Sequence, residues 1–344
     1  MASESYFFSL LGPLHLTAVD WNNEHHCRSV AASLVQGVYA LERDRQQNRK
    51  GADSLAPAWW EFFHFQLVLQ LRDEVDSSIF GSIFEFKPKA SNCHYSIQEA
   101  PRYVIAFRGT VINPNSCIQE DLRLGFLFTI NELHGTSRFK VAMEAIKNKV
   151  DVAGALNIWL AGHSLGSAMA MLAGKNMAKT GFFLQAFLFN PPFSSASIER
   201  IEDKTLRQGI RIAKSFITAG LTVAIKGHQS EDPFVVLSPW IPCLFVNPAD
   251  DISSEYVGYF EHRKKMEEIG ASKIEELASQ NSIRNLLLGK TKSEPLHLLP
   301  SANLTINFTP SPDFVRAHGI RQWWRPDLHM HYIIRKSRRA EKRG

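Results

Sequence analysis

The chain has 344 residues, 44% of them hydrophobic, which allows a sizeable core and one large α/β domain or two smaller ones. Its net charge of +5 is mild, and much of the basic excess sits in the closing stretch IIRKSRRAEKRG. With no basic stripe across a domain and no aromatic nucleic-acid motif, nucleic acid is not an expected partner. The tail reads as a solvated end, able at most to make weak contact with an anionic membrane surface.

The opening MASESYFFSLLGPLHLTAVD lacks a basic region before its apolar run, which Gly12, Pro13 and His15 interrupt. The longest apolar stretch further on, FITAGLTVAI (Phe216 to Ile225), is too short to span a bilayer. The cysteines Cys27, Cys93, Cys117 and Cys243 are scattered and fit neither a zinc site nor a disulfide framework. The expectation is a soluble, cytoplasmic protein, in which the N-x-T matches at Asn303 and Asn307 carry no weight.

Along the chain, HHCRSVAASLVQGVYALERDRQQNRK places Val30, Leu34, Val38 and Leu41 at helical spacing. SSIFGSIFEFK alternates as a strand, and RYVIAFRGT reads as a buried strand ending at Gly109. RFKVAMEAIKNKVDVAG is a helix closed by Gly154. NIWLAGHSLGSAMAMLAG then runs from an apolar strand through a tight turn into an alanine-rich helix. LQAFLFNPPF and IPCLFVNPADD follow as buried strands, and ANLTINF looks like the last strand of the sheet. This order implies a mainly parallel sheet with helices on both faces. Between two of the strands, TLRQGIRIAKSFITAGLTVAIKG is amphipathic and then apolar, as either a cap or a plain packing helix would be.

The turn carries the chemistry. A serine hydroxyl needs a base and oxyanion donors before it can act as a nucleophile. Gly162-His163-Ser164-Leu165-Gly166 fits the G-x-S-x-G elbow, which lifts the hydroxyl above the sheet edge where a strand meets a helix. The strained serine backbone leaves no room for Cβ atoms two residues away, hence the glycines. The dipole of the following helix favours an oxyanion.

GHSLG after a strand, with FRGT upstream, resembles the class 3 (fungal and plant triacylglycerol lipase-like) branch of the α/β-hydrolases. AHGIRQWW near the end resembles a plant subgroup, some members of which are named GDSL esterase/lipase, although no GDSL nucleophile block is present. The resemblance covers roughly residues 95–335 and implies an α/β-hydrolase-like domain acting on carboxylic, lipid-like esters through an acyl-enzyme. The expected layout is an N-terminal helical extension over 1–75, a hydrolase domain over 76–335 with an insertion or cap near 198–240, and a basic tail over 336–344. The resemblance places one oxyanion donor at Thr110 and the other at the backbone N–H of Leu165. Arg108 reads as a structural ion pair.

The acid should follow the serine at the end of a later strand, where CLFVNPADDIS offers Asp250 and Asp251. Pro248 sets a turn from which residue 250 leaves the strand first, which favours Asp250, while Asp251 stays open. The base should come after the acid, from His262, His297, His318, His329 or His331. His262 sits in a charged stretch and reads as solvated, His297 precedes the apparent last strand, and His329 and His331 read as a surface pair. His318 follows that strand's C-terminal end, where ligands bind in open parallel sheets, and Trp323 and Trp324 would pack the helix after it. The expected set is therefore Ser164, Asp250 and His318, with no metal and no organic cofactor: the chain lacks H-E-x-x-H, a phosphate loop and a Cys/His cluster. A non-catalytic binding or signalling module on the same fold, or an acyltransferase using the same residues, are the competing readings.

Overall fold

The computed structural model describes residues 8–88, 99–111, 132–193, 208, 210–212, 215, 218, 233–271, 274 and 296–335. Among these, eight strands form one sheet in their sequence order: β1 (Phe65–Arg72), β2 (Ile79–Phe86), β3 (Tyr103–Phe107), β4 (Ile158–His163), β5 (Gln185–Phe189), β6 (Cys243–Val246), β7 (Ala302–Asn307) and β8 (Met330–Arg335). β3 to β7 are parallel, and the outer pairs β1/β2, β2/β3 and β7/β8 are antiparallel. The described helices are α1 (Phe8–Leu11), α2 (Glu24–Gln46), α3 (Ala58–Glu61), α4 (Ser137–Ala153), α5 (Leu165–Lys179), α6 (Pro233–Leu237), α7 (Glu255–Glu268) and α8 (Phe314–His318). This is an α/β-hydrolase-like fold, a mainly parallel sheet covered on both faces.

The parallel strands are apolar on both sides because each face has its own core. Ile105, Leu160, Leu188 and Leu244 pack towards α4, α5 and α7, while their neighbours Val104, Ala161, Phe189 and Phe245 pack towards α2. The predicted helical spacing in α2 is realised: Val30, Leu34 and Val38 are fully buried and Leu41 nearly so. Fully burying each such side chain stabilises by roughly 1.5–3 kcal/mol. Asn23 caps α2 by accepting from the His25 and His26 N–H groups, and Thr136 caps α4 through Phe139. Gly154 ends α4 with φ 79°, a conformation that favours glycine.

Several expectations change. The segment 1–75 is not all helical, since Phe65–Arg72 pairs with β2 as the edge strand. ANLTINF is not the last strand, because Met330–Arg335 returns antiparallel beside it. Strand β3 ends at Phe107 rather than Gly109, and Gly109 instead gives its N–H to Tyr39. Among the described residues, Trp323 and Trp324 pack against no later helix: Trp323 lies against Phe189 and Phe245, and Trp324 against Trp59.

Most of the expected 198–240 insertion, along with Cys93, Cys117 and the 336–344 tail, lies outside the described residues. At the insertion's end, α6 buries Phe234 and Leu237. Among the described residues no helix is long and apolar enough to cross a membrane.

Candidate active site

The C-terminal ends of β3, β4, β5 and β6 bring the site together. At the end of β4, Ser164 holds φ 55° and ψ −123°. The two glycines are required by close approach: a Cβ on Gly162 would come 2.3 Å from the Gly166 oxygen, and one on Gly166 2.3 Å from the Phe107 oxygen. The Ser164 N–H donates to the Phe189 carbonyl at 3.0 Å, and Ser167 Oγ donates to the Gly162 and Phe189 carbonyls. These bonds tie the turn to the neighbouring strand and leave the Ser164 side chain at the first turn of α5. Ser164 is buried, and its Oγ has no hydrogen-bond partner among the described residues.

Asp250, not Asp251, meets the histidine. Its carboxylate is fully buried and lies 3.0 Å from His318 Nδ1. Oδ2 also accepts from Ser253 Oγ at 2.5 Å and Asn190 Nδ2 at 2.7 Å, and Oδ1 accepts from the Ile252 N–H at 3.1 Å. Burial alone would raise this carboxyl, but His318, Ser253 and Asn190 outweigh it and hold it below the ordinary carboxylate range. His318 ends α8, which Asp313 caps, and its buried ring stacks on Phe314 at 5.3 Å and lies 4.9 Å from the His163 ring.

His163, inside the elbow, joins the parts. Its Nε2 lies 2.7 Å from the His318 carbonyl, which can only accept, so Nε2 carries the proton and Nδ1 accepts from the Tyr39 hydroxyl at 2.8 Å. The same hydroxyl accepts the Gly109 N–H at 2.7 Å. Burial, with His318 alongside, pushes the His163 imidazole down to about 3, so it is neutral at physiological pH.

The other candidates lie elsewhere. Thr110 is exposed, directly after Gly109, where a Cβ would come 2.8 Å from Ser164 Cβ. The Gly109 N–H is already engaged by Tyr39. Arg108 is structural, donating to the Ile79 and Gly109 carbonyls and lying 4.0 Å from Glu42. His329 and His331 are exposed on or beside β8. His297 is half-buried and stacks on Phe193. His262 is not solvated as expected: it is half-buried, 2.8 Å from Ser215 Oγ, and burial with Arg211 nearby pushes it down to about 4.

A cavity of about 400 Å³ lies beside the first turn of α5, with Phe80, Phe107, Leu133, Leu165 and Met169 among its walls. No cluster of His, Cys, Asp and Glu able to hold a metal is found among the described residues.

The lipase (class 3) family model matches residues 104–198, which include the elbow and the Thr110 segment. A protein named GDSL esterase/lipase from Arabidopsis thaliana is 53% identical over 341 residues, covering 95% of this chain and 97% of its own length. The chain belongs to the class 3 lipase-like family. A lipase structure from Rhizopus microsporus var. chinensis aligns over 67% of this chain and 69% of its own, with 13% identity and a TM-score of 0.34, too loose a likeness to carry an assignment.

Sequence reasoning did not single out Tyr39, Asn190, Ser253 or Gln322, and gave Trp323 only a packing role. The one local signal was a histidine inside the elbow motif. Apart from Ser253, which bonds to Asp250 in its own turn, these residues have key partners farther along the chain: Trp323 Nε1 donates to Asn190 Oδ1, and Gln322 Oε1 accepts from Asn247 and Asn307. Within this class 3 chain, the AHGIRQWW block therefore supplies both His318, which meets Asp250, and Trp323, which holds Asn190 against it.

Proposed function

We propose that the chain is a serine carboxylic-ester hydrolase acting on lipid-like esters through Ser164, His318 and Asp250. Ser164 Oγ attacks the ester carbonyl carbon while His318 Nε2 takes its proton. Asp250 holds Nδ1–H and stabilises the imidazolium, and the donors at Thr110 and Leu165 hold the oxyanion. Collapse of this intermediate expels the alcohol, which takes the proton from His318, and leaves an acyl-enzyme. Water, deprotonated by the same histidine, then releases the acid. The cavity beside Leu165 would take the acyl chain along its apolar side of Phe80, Phe107, Leu133, Leu165 and Met169. Asp73, Arg108 and Arg138 form a polar side, and the cavity's size falls in the range of ordinary ligand sites.

One observation carries this reading: a buried, unpaired serine hydroxyl in a strained elbow, beside a buried carboxylate–imidazole pair at 3.0 Å. Fluorophosphonate labelling tests it. Wild type should be labelled and should hydrolyse p-nitrophenyl esters, and Ser164→Ala should do neither while keeping its melting temperature. Equal behaviour of the two proteins would make the chain a binding module. Turnover that requires an alcohol acceptor in place of water would make it an acyltransferase.

A further inference from the structure

Ser164 at the end of β4 and Asn190 directly after β5 both hold left-handed backbone, with φ 55° and 46°. Such strain persists where the surroundings over-determine it, and at Ser164 the chemistry accounts for it. Asn190 has no part in the chemistry proposed above, yet it is fully buried and every polar group of its side chain is engaged. Its own N–H donates to the Phe245 carbonyl at 2.8 Å, which fixes its backbone to β6.

The orientation of its amide follows from its partners. Trp323 Nε1 can only donate, so the oxygen of Asn190 must face it, at 2.7 Å. The amide nitrogen is thereby turned to Asp250 Oδ2 at 2.7 Å and to the carbonyl of Ala317, the residue before His318, at 3.2 Å. One side chain thus touches the acid and the backbone that leads into the base. We propose that Asn190, oriented by Trp323, is a positioning residue that fixes the Asp250 carboxylate and spreads its charge, and so limits how firmly it holds a proton on His318.

This inference rests on the hydrolase reading. The groups facing Asp250 are Asn190 after β5, Ser253 and the Ile252 N–H in its own turn, His318 of α8, and His163 at the end of β4 as a further charge influence. Loss of the amide donor concentrates negative charge on the oxygen that His318 shares. The imidazolium is then favoured, and the neutral base needed for attack is lost at higher pH than before.

The test uses the full chain with Asn190→Gly, which accepts the left-handed backbone without strain, and Trp323→Phe, which keeps a ring but removes the donor. The pH profiles of kcat and KM are measured for soluble p-nitrophenyl esters, and His318 is titrated by NMR. Asn190→Gly should lower kcat roughly tenfold or more, with KM within about twofold. Its acid limb and its His318 titration should move up by about one pH unit. Trp323→Phe should move both the same way by less, and it carries the test if Asn190→Gly does not fold. Folded variants with an unmoved acid limb and titration overturn the proposal, whether or not kcat falls, because packing loss alone would explain them. Wild type that is neither labelled nor active sinks the hydrolase reading instead, and the NMR titration still decides whether Asn190 tunes the Asp250–His318 pair.

Discussion

The Asp250 carboxylate accepts bonds from Ile252, Asn190, Ser253 and His318, whereas the Ser164 hydroxyl in the adjoining elbow has no partner among the described residues. Both groups are buried. An unpaired buried hydroxyl costs roughly 1–3 kcal/mol, and a native fold retains one only for a reason. The acid half is fully hydrogen-bonded, so on the proposed reading no reorganisation would be needed when charge develops on His318. The nucleophile half is left open, and on the proposed reading its missing partner would be the bound ester. The fold therefore gains stability from one half and gives some up in the other.

Breaking each half separately gives the largest effects and should separate activity from stability. Asp250→Asn should lower kcat by about 10⁴-fold, because the amide no longer stabilises the imidazolium or fixes its tautomer. It should also lower the melting temperature, since a buried charge with several donors is lost. Ser164→Ala should lower kcat at least as far, yet leave the melting temperature unchanged or raised, because it deletes an unpaired hydroxyl. A stability loss in Ser164→Ala equal to that in Asp250→Asn would erase the contrast. His318→Ala should match the activity loss, and His329→Ala and His331→Ala should keep most of the turnover.

The oxyanion side is the next largest expectation. Thr110→Val keeps the shape and removes one hydroxyl, and kcat should fall roughly ten- to a thousandfold if that donor is used. Because Thr110 is exposed, the melting temperature should hardly move. An unchanged kcat would leave Leu165 N–H as the donor that matters and confine Thr110 to shaping the chain beyond Gly109.

What could be read from the sequence follows the same division. The elbow is legible because its constraint is local: Ser164 and the two glycines lie within five residues of one another. The choice of Asp250 over Asp251 required turn geometry at Pro248, and the choice of His318 required the order of the strands. Asn190 and Tyr39 were illegible because each acts through a partner more than a hundred residues away, His163 for Tyr39 and Trp323 for Asn190. The edge strands failed for another reason. In β1 most residues are partly or fully exposed, Val68 and Leu69 among them, so its apolar alternation is weak. β8 reads as a histidine-flanked surface stretch until its pairing with β7 is seen.

His163 stands between the two halves and gives the smallest effect. In the fold it is neutral, with its imidazole pushed down to about 3 from the ordinary 6.5. In the unfolded chain it takes up a proton as the pH falls below about 6.5. The unfolded state then binds more protons than the native one, so the stability contribution is fully present above 6.5 and is lost as the pH falls towards about 3. A single such site changes stability by at most about 1.4 kcal/mol per pH unit. Carboxylates contribute little above pH ~4.5, which leaves the interval from 6.5 to 4.5 to histidines, chiefly His163 and the half-buried His262. The stability of wild type, measured by urea unfolding, should therefore fall across that interval. His163→Gln, whose amide can still donate to the His318 carbonyl, should flatten the slope by up to about 1.4 kcal/mol per unit, and His262→Gln should flatten a further part. An identical slope in wild type and His163→Gln would mean that His163 titrates alike in both states. Burial beside His318 would then not hold it neutral, and the link between the finished half and the open half would be packing alone.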